Sequence, residues 1–170
     1  MMEPAVLYKL MILYLLKKVN FPLSNAQLWT FFEQNGYTNY FKFQEVLQAL
    51  VDAHLITSET IHEAEHYELG KEGDEVLYYF KNDLSETVKA DMDRYIEENK
   101  FQLRTETGVV VDYYKTPEFD YMAHVKVREG KSTLFEMSLS VPTEEQAKVL
   151  SEHLKDNADA IYAYVMKRLI

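Results

Sequence analysis

Apolar residues recur every three or four positions in the first third of the chain, and this spacing predicts three short helices joined by tight turns. The first helix is predicted to begin at Pro4, a residue that suits a first helical turn, and to end near Asn20. Ser24 and Gln27 have the spacing of a capping box and predict the start of the second helix.

The third predicted helix can be capped by Thr38 or Asn39 and is followed directly by an extended segment at Leu55 and Ile56. One side of this helix is apolar and is expected to face the core. Its residues are Phe43, Val46, Leu47, Leu50 and Val51.

Two β-prone pieces follow at residues 57–60 and 66–69, and they predict a short hairpin. A fourth helix is predicted at residues 74–81, with Val76, Leu77 and Phe80 facing inward. Residues 83–100 form a further helical pattern whose apolar stripe is narrow, which predicts a connecting helix or a contact between subunits.

From Phe101 onward the period changes from helical to alternating. The alternation predicts four strands with short turns, at residues 101–106, 109–115, 119–128 and 133–141. Pro142 and the capping-box pattern of Thr143 with Gln146 predict a long last helix that covers the sheet. The inward face of the third strand is predicted to contain Phe119, Tyr121, Ala123, Val125 and Val127.

The chain is therefore predicted to be an α+β protein in three parts. Residues 1–82 form a helical domain with a hairpin, and residues 83–100 form a connecting helix. Residues 101–170 form a four-stranded antiparallel meander covered by a C-terminal helix.

The order of elements over roughly residues 4–82 resembles the winged-helix regulators of bacteria. The residues that carry the resemblance are Leu47, Leu50, the pair Leu55-Ile56, and the tail YELGKEG at residues 67–73. Many such regulators have a similar YxLTxxG tail after their wing. The whole chain also looks like a bacterial family of winged-helix proteins that carry a second small domain.

This resemblance implies an N-terminal winged helix-turn-helix domain that binds double-stranded DNA as a homodimer. The C-terminal domain would then pair the subunits or sense a small-molecule or protein effector. In such regulators the exposed side of the third helix enters the major groove. The candidate DNA-binding residues are those predicted to face outward on this helix or able to hydrogen-bond to bases or phosphates, namely Asn39, Tyr40, Lys42, Gln44, Glu45 and Gln48.

The charge of the candidate domain departs from that of the regulators it resembles. Those regulators often carry a basic pair at the positions of Gln48 and Ala49, and a glycine at the position of His54. Residues 1–82 contain six lysines, no arginine and eleven acidic residues, a balance of −5. We therefore expect any DNA binding to be site-specific and to depend weakly on salt, because few phosphates are contacted.

The sequence His62-Glu63-Ala64-Glu65-His66 matches the H-E-x-x-H motif of zinc proteases. That chemistry requires a helix, because in an extended chain the two histidines would lie about 13 Å apart. The motif falls between two β-prone pieces, so we expect an exposed acidic turn. We predict no catalytic residue, no metal ion and no cofactor. A metal-dependent hydrolase is a weaker hypothesis than a DNA-binding regulator or a protein-binding module.

The predicted sheet carries basic residues on its polar face that could hold an anionic ligand, although mixed charges on a solvated sheet face are the far commoner arrangement. The basic residues are Arg104, His124, Lys126 and Arg128, interleaved with Glu106, Asp112, Asp120 and Glu136.

Composition narrows the partners further. The net charge of −10 opposes a general affinity for nucleic acid or for an anionic membrane, and the apolar run at residues 5–16 is too short to span a bilayer. The absence of cysteine excludes disulfides and makes the reducing cytoplasm the expected location.

The alternative to a DNA-binding regulator is a winged-helix module that binds another protein and no DNA, with Phe41 and the acidic wing as its contact surface.

Overall fold

The computed structural model describes residues 2–61, 64–105, 108–129 and 132–170. Within these residues the chain is a mixed α+β protein with six α-helices and two three-stranded antiparallel sheets, which confirms the predicted α+β class. The chain divides into two compact units, Met1–Lys100 and Phe101–Ile170. Among the described helices, none combines the length and the apolar character that crossing a membrane requires.

The first two helices of the N-terminal unit begin and end as their sequences predict. Helix α1 (Pro4–Val19) is buried at every position from Leu10 to Leu16 and is central to this unit. Helix α2 (Asn25–Asn35) starts with the predicted capping box, in which the backbone N–H of Gln27 donates to Ser24 Oγ at 3.1 Å. Helix α2 ends at Gly36, whose φ of 64° is a left-handed conformation that glycine adopts without strain.

Helix α3 (Tyr40–Asp52) is followed by a hairpin of strands β2 (Ile56–Ile61) and β3 (Ala64–Leu69). Strand β3 is the centre of the first sheet, because it also pairs with the two-residue strand β1 (Leu23–Ser24) that precedes α2. The hairpin is thus joined to α3 through the chain and to the start of α2 through the pairing of β3 with β1. Helix α4 (Lys71–Phe80) follows, and a short 3-10 turn (Lys81–Asp83) leads out of it.

Two glycines of the tail at residues 67–73, Gly70 and Gly73, lie close to the backbone of Leu55. The backbone N–H of Gly70 donates to the carbonyl oxygen of Leu55 at 3.0 Å. A Cβ atom placed on Gly73 would lie 2.0 Å from the same oxygen, a distance that no side chain tolerates. The start of α4 therefore lies directly against the backbone of Leu55, in the short segment between α3 and β2.

Helix α5 (Glu86–Thr105) contributes to the core of the N-terminal unit. Met92 is fully buried, and Tyr95 donates a 2.9 Å hydrogen bond to the carbonyl oxygen of Gln27. The ring of Tyr95 also lies 5.4 Å from that of Phe31. Whether α5 in addition connects domains or pairs subunits stays a prediction.

The C-terminal unit contains a three-stranded meander and one long helix. Strands β4 (Val109–Lys115), β5 (Tyr121–Glu129) and β6 (Ser132–Val141) pair in sequence order. Helix α6 (Glu144–Leu169) begins at Thr143, which accepts a hydrogen bond from the backbone of Gln146. A buried cluster between β5 and α6 forms the core of this unit, with Ala123, Val125, Val127, Leu154 and Ala158 as its members.

The predicted four-stranded meander is wrong, because the segment predicted as its first strand continues α5 as far as Thr105. The alternation at Phe101 and Leu103 is too short to separate a strand from a helix, and no glycine or proline ends the helix there. Leu103 is buried, and Phe101 meets Tyr162 edge to face with ring centres 5.7 Å apart. Glu106 and Thr107 lie outside the described residues.

Two aromatic residues predicted to face inward are exposed. Phe119 lies in the turn before β5 with a φ of 71°, and its side chain is 78% exposed. The turn is closed by the N–H of Phe119 donating to Thr116 and the N–H of Thr116 donating to Asp120. Phe80, at the last position of α4, is 50% exposed, whereas Leu77 one turn earlier is buried as predicted.

Candidate nucleic-acid interface

Helices α2 and α3 are held at a fixed angle by a pair of side-chain amides. Asn25 Nδ2 donates to Gln44 Oε1 at 3.0 Å, and Gln44 Nε2 donates back to Asn25 Oδ1 at 2.8 Å. Trp29 of α2 adds an edge-to-face contact with Tyr40, with ring centres 5.3 Å apart. Since both contacts lie near the starts of the two helices, they fix the direction in which α3 leaves the turn.

One side of α3 is anchored in the core of the N-terminal unit. Phe43 and Leu50 are fully buried, and the rings of Phe32 and Trp29 lie 5.2 and 5.5 Å from that of Phe43. Val46 and Leu47 are buried between them. Burial at these four positions leaves the opposite side of the helix facing solvent.

The exposed side of α3 combines one aromatic side chain with mixed charges. Phe41 is 80% exposed, and Lys42 and Glu45 are exposed beside it. Gln48 is also exposed, and its Nε2 donates to Asp52 Oδ1 at 2.9 Å. The described part of α3 thus offers one lysine against two carboxylates, which is a weak electrostatic attraction for phosphate.

The structure divides the six predicted DNA-binding residues into two groups. Asn39 Oδ1 accepts the backbone N–H of Lys42 at 2.9 Å and caps α3, and Gln44 is held by Asn25. Tyr40, Lys42, Glu45 and Gln48 keep polar atoms at the surface of the helix. These four residues can present polar atoms to a ligand while the cap at Asn39 and the amide pair of Gln44 stay in place.

The hairpin beside α3 adds negative charge. Glu59 and Glu65 are exposed on β2 and β3. His62 and Glu63, the first two residues of the H-E-x-x-H match, lie outside the described residues. His66, its last residue, is buried in strand β3 with Nδ1 2.9 Å from the carbonyl oxygen of Ala64, so this end of the motif is not helical. Within the described residues no cluster of three potential metal ligands occurs.

A family model described as a domain of unknown function, DUF4364, matches residues 8–169. The chain belongs to this DUF4364 family. Neither the curated proteins nor the solved structures contain a significant match to it. The match to DUF4364 extends over both compact units. The family is therefore defined by a region that contains both the helical unit and the three-stranded unit.

Sequence reasoning missed Asn25, the partner of Gln44. Asn25 follows the capping residue Ser24 and lies at the first position of α2, where a polar residue is expected in any helix. No pattern in the sequence links it to a residue 19 positions away. The pair is visible only once the turn has brought the two helices together.

Two of the four basic residues predicted on the sheet, Arg104 and His124, are paired with carboxylates. Arg104 lies on α5 rather than on the sheet, and its Nη2 lies 2.7 Å from Glu129 Oε2. This hydrogen bond raises the pKa of Arg104 above its ordinary value. His124 on β5 lies between two carboxylates, with Nε2 2.6 Å from Glu136 Oε1 and Nδ1 3.1 Å from Asp112 Oδ1. These acidic partners occupy the positions that an anion would take.

Proposed function

We propose that the N-terminal unit is a winged helix-turn-helix domain and that the chain is a transcriptional regulator that binds double-stranded DNA as a homodimer in the cytoplasm. The observation that carries this proposal is the division of α3 into a buried side and a solvated side, next to a two-stranded hairpin. A helix anchored along one side and open along the other can enter a major groove.

The contacts of this interface follow from the exposed residues of α3. Lys42 supplies a phosphate contact, and Gln48 supplies an amide that can bond to a base edge when it leaves Asp52. Phe41 offers apolar contact to a thymine methyl group. Because Glu45, Asp52 and the hairpin acids repel phosphate, affinity comes from a particular sequence and little comes from the DNA backbone.

We propose that the C-terminal unit pairs the subunits or senses an effector. Two copies of α3 can read two half-sites one helical turn apart, about 34–36 Å, only when the subunits are paired. Size-exclusion chromatography with light scattering measures this directly. A strict monomer at working concentrations contradicts the dimeric form of the proposal.

Selection of bound fragments from a genomic DNA library tests DNA binding itself. The enriched duplex is then titrated by fluorescence anisotropy between about 50 and 200 mM salt, where a shallow slope is expected. Lys42→Gln should weaken binding several-fold and reduce the salt slope by about 1. Lys148→Gln makes the same charge change on α6 of the C-terminal unit and should leave binding unchanged. A steep slope, or no enriched sequence, contradicts the proposal.

The second candidate function is a protein-binding module, and the exposure of Phe41 beside an acidic hairpin favours it. A basic partner with an apolar pocket would match this surface. Affinity purification with the wild-type chain and with Phe41→Ser separates the two functions. Recovery of one stoichiometric protein by the wild type alone, together with no enriched DNA, favours the protein-binding module.

A further inference from the structure

The N-terminal unit contains an open cavity of about 800 Å³ on a different part of its surface from the exposed side of α3. Its walls come from α1, from α4, from the 3-10 turn and from the start of α5. Its lining includes the buried side chain of Leu77 on α4 and the ring of Tyr14 on α1. A volume of this size is ordinary for a small-molecule site.

Two exposed aromatic rings form one wall of the cavity. Tyr78 is 69% exposed and Tyr79 is 76% exposed, and their rings meet edge to face with centres 5.5 Å apart. The fold does not use this surface, since Leu77 is the buried residue of the same helical turn. Two adjacent rings left in water on a helix that lines a cavity provide a surface on which a planar apolar group can lie.

Four lysines line the same cavity, although the chain as a whole has a net charge of −10. Lys17 pairs with Asp74 at 2.9 Å, and Lys89 pairs with Glu86 at 3.3 Å. In the part of the chain that the structure describes, Lys18 and Lys81 have no carboxylate within ion-pairing distance. These two lysines are the positive charges of the cavity that remain available for a ligand.

Each of these two lysines is held against a tyrosine ring of the cavity. Lys18 Nζ lies 5.4 Å from the ring centre of Tyr14, and Lys81 Nζ lies 5.3 Å from that of Tyr78. Tyr14 is fixed in turn, because its hydroxyl donates to Asp93 Oδ1 at 2.8 Å. The ammonium groups are thus positioned next to aromatic surface without being neutralised by acids.

We propose that this cavity binds a small organic anion with a planar apolar body. The body lies on Tyr78 and Tyr79, and the anionic group is held by Lys18 and Lys81. Asp74 and Glu75 also line the cavity and would repel a long polyanion such as nucleic acid, so the ligand is a compact molecule with one charged group. This site does not depend on whether α3 binds DNA.

The chain of 170 residues is tested with two fluorescent probes that differ in charge. The probes are 8-anilinonaphthalene-1-sulfonate and the neutral N-phenyl-1-naphthylamine, which lacks the sulfonate. The wild type should bind the sulfonate at one site per chain. The double variant Lys18→Gln/Lys81→Gln should weaken sulfonate binding about tenfold or more and leave the neutral probe nearly unchanged. Tyr78→Ser/Tyr79→Ser should weaken both probes.

The control variant Lys42→Gln/Lys148→Gln removes the same charge from other surfaces and should bind both probes as the wild type does. Circular dichroism and the urea midpoint verify that each variant is folded. Competition by 2-naphthoate identifies a carboxylate ligand, and competition by adenosine monophosphate identifies a phosphate ligand. The proposal is overturned if neither compound competes, or if the control loses as much affinity as the lysine variant. It is also overturned if the wild type is a dimer that binds no probe and Tyr78→Ser/Tyr79→Ser dissociates that dimer.

Discussion

The hydroxyl of Tyr37 donates a 2.6 Å hydrogen bond to Asp91 Oδ2, although 54 positions separate the two residues. Tyr37 lies in the turn between α2 and α3, and Asp91 lies on α5. Asp91 Oδ1 also accepts a 2.7 Å hydrogen bond from Arg94. The turn between α2 and α3 is therefore tied to α5, a helix that lies much later in the chain.

This bond makes acid stability depend on Asp91. The hydrogen bond from Tyr37 lowers the pKa of Asp91 below its ordinary value, and Arg94 lowers it further. A carboxyl whose pKa is lower in the folded state adds stability at neutral pH, and this contribution is lost as the pH falls below about 4. Asp91→Asn should therefore reduce stability at pH 7 and flatten its decline in acid.

Urea unfolding of the wild type and of Asp91→Asn at pH 7 and in steps down to pH 3 checks this prediction. Asp83→Asn, on the 3-10 turn, provides a matched control and should follow the wild-type curve. If the curves of wild type and Asp91→Asn stay parallel throughout, the Tyr37 contact does not contribute as described.

His54 lies at a position where the backbone conformation favours glycine. It has a φ of 60°, a left-handed conformation that strains any residue with a Cβ atom. His54→Gly should raise the free energy of unfolding by on the order of 1 kcal/mol. Chemical denaturation measures this gain. His54→Ala keeps the Cβ atom and should give no such gain, so equal stability of the two variants would argue against backbone strain.

Gly73 should tolerate no side chain, because its added Cβ would lie 2.0 Å from the carbonyl oxygen of Leu55. Gly73→Ala is expected to lower the free energy of unfolding by about 2–3 kcal/mol or more, since backbone atoms must move apart. Gly36→Ala is the comparison. Gly36 has open space around its Cβ position and a φ of 64°, so only strain of about 1 kcal/mol is expected there. Similar losses at the two glycines would contradict the steric account.

The amide pair of Asn25 and Gln44 should behave as a structural unit. In a double-mutant cycle, Asn25→Ala and Gln44→Ala should show a coupling energy of about 1 kcal/mol in urea unfolding. If the proposed DNA binding holds, both variants should weaken it alike, because each loosens α3. A change in the preferred sequence with Gln44→Ala alone would show instead that Gln44 reads a base.

Local signals in the sequence predicted most of the fold correctly. The spacing of Ser24 with Gln27 and of Thr143 with Gln146 predicted two helix starts, because such caps depend on neighbouring residues alone. The alternation of Ala123, Val125 and Val127 located strand β5. The segment at residues 101–105 was mistaken for a strand because five residues carry too little periodicity to distinguish the two structures.

The candidate interface was less predictable, because it depends on contacts between distant residues. Gln44 was expected to face DNA from its position on the helix, yet Asn25 holds it. The bond from Tyr37 to Asp91 and the contact of Gly73 with Leu55 also join parts of the chain that no local pattern connects. The cavity between α1 and α4 arises in the same way, from lysines and tyrosines on separate helices.

The contact between Gly73 and Leu55 fixes the start of α4. Its first turn lies against the backbone of Leu55, between α3 and β2, and Tyr78 and Tyr79 of its last turn line the cavity. A helix of ten residues is about 15 Å long. A ligand bound in the cavity would therefore contact the same short helix whose first turn has no room to move towards the Leu55 carbonyl.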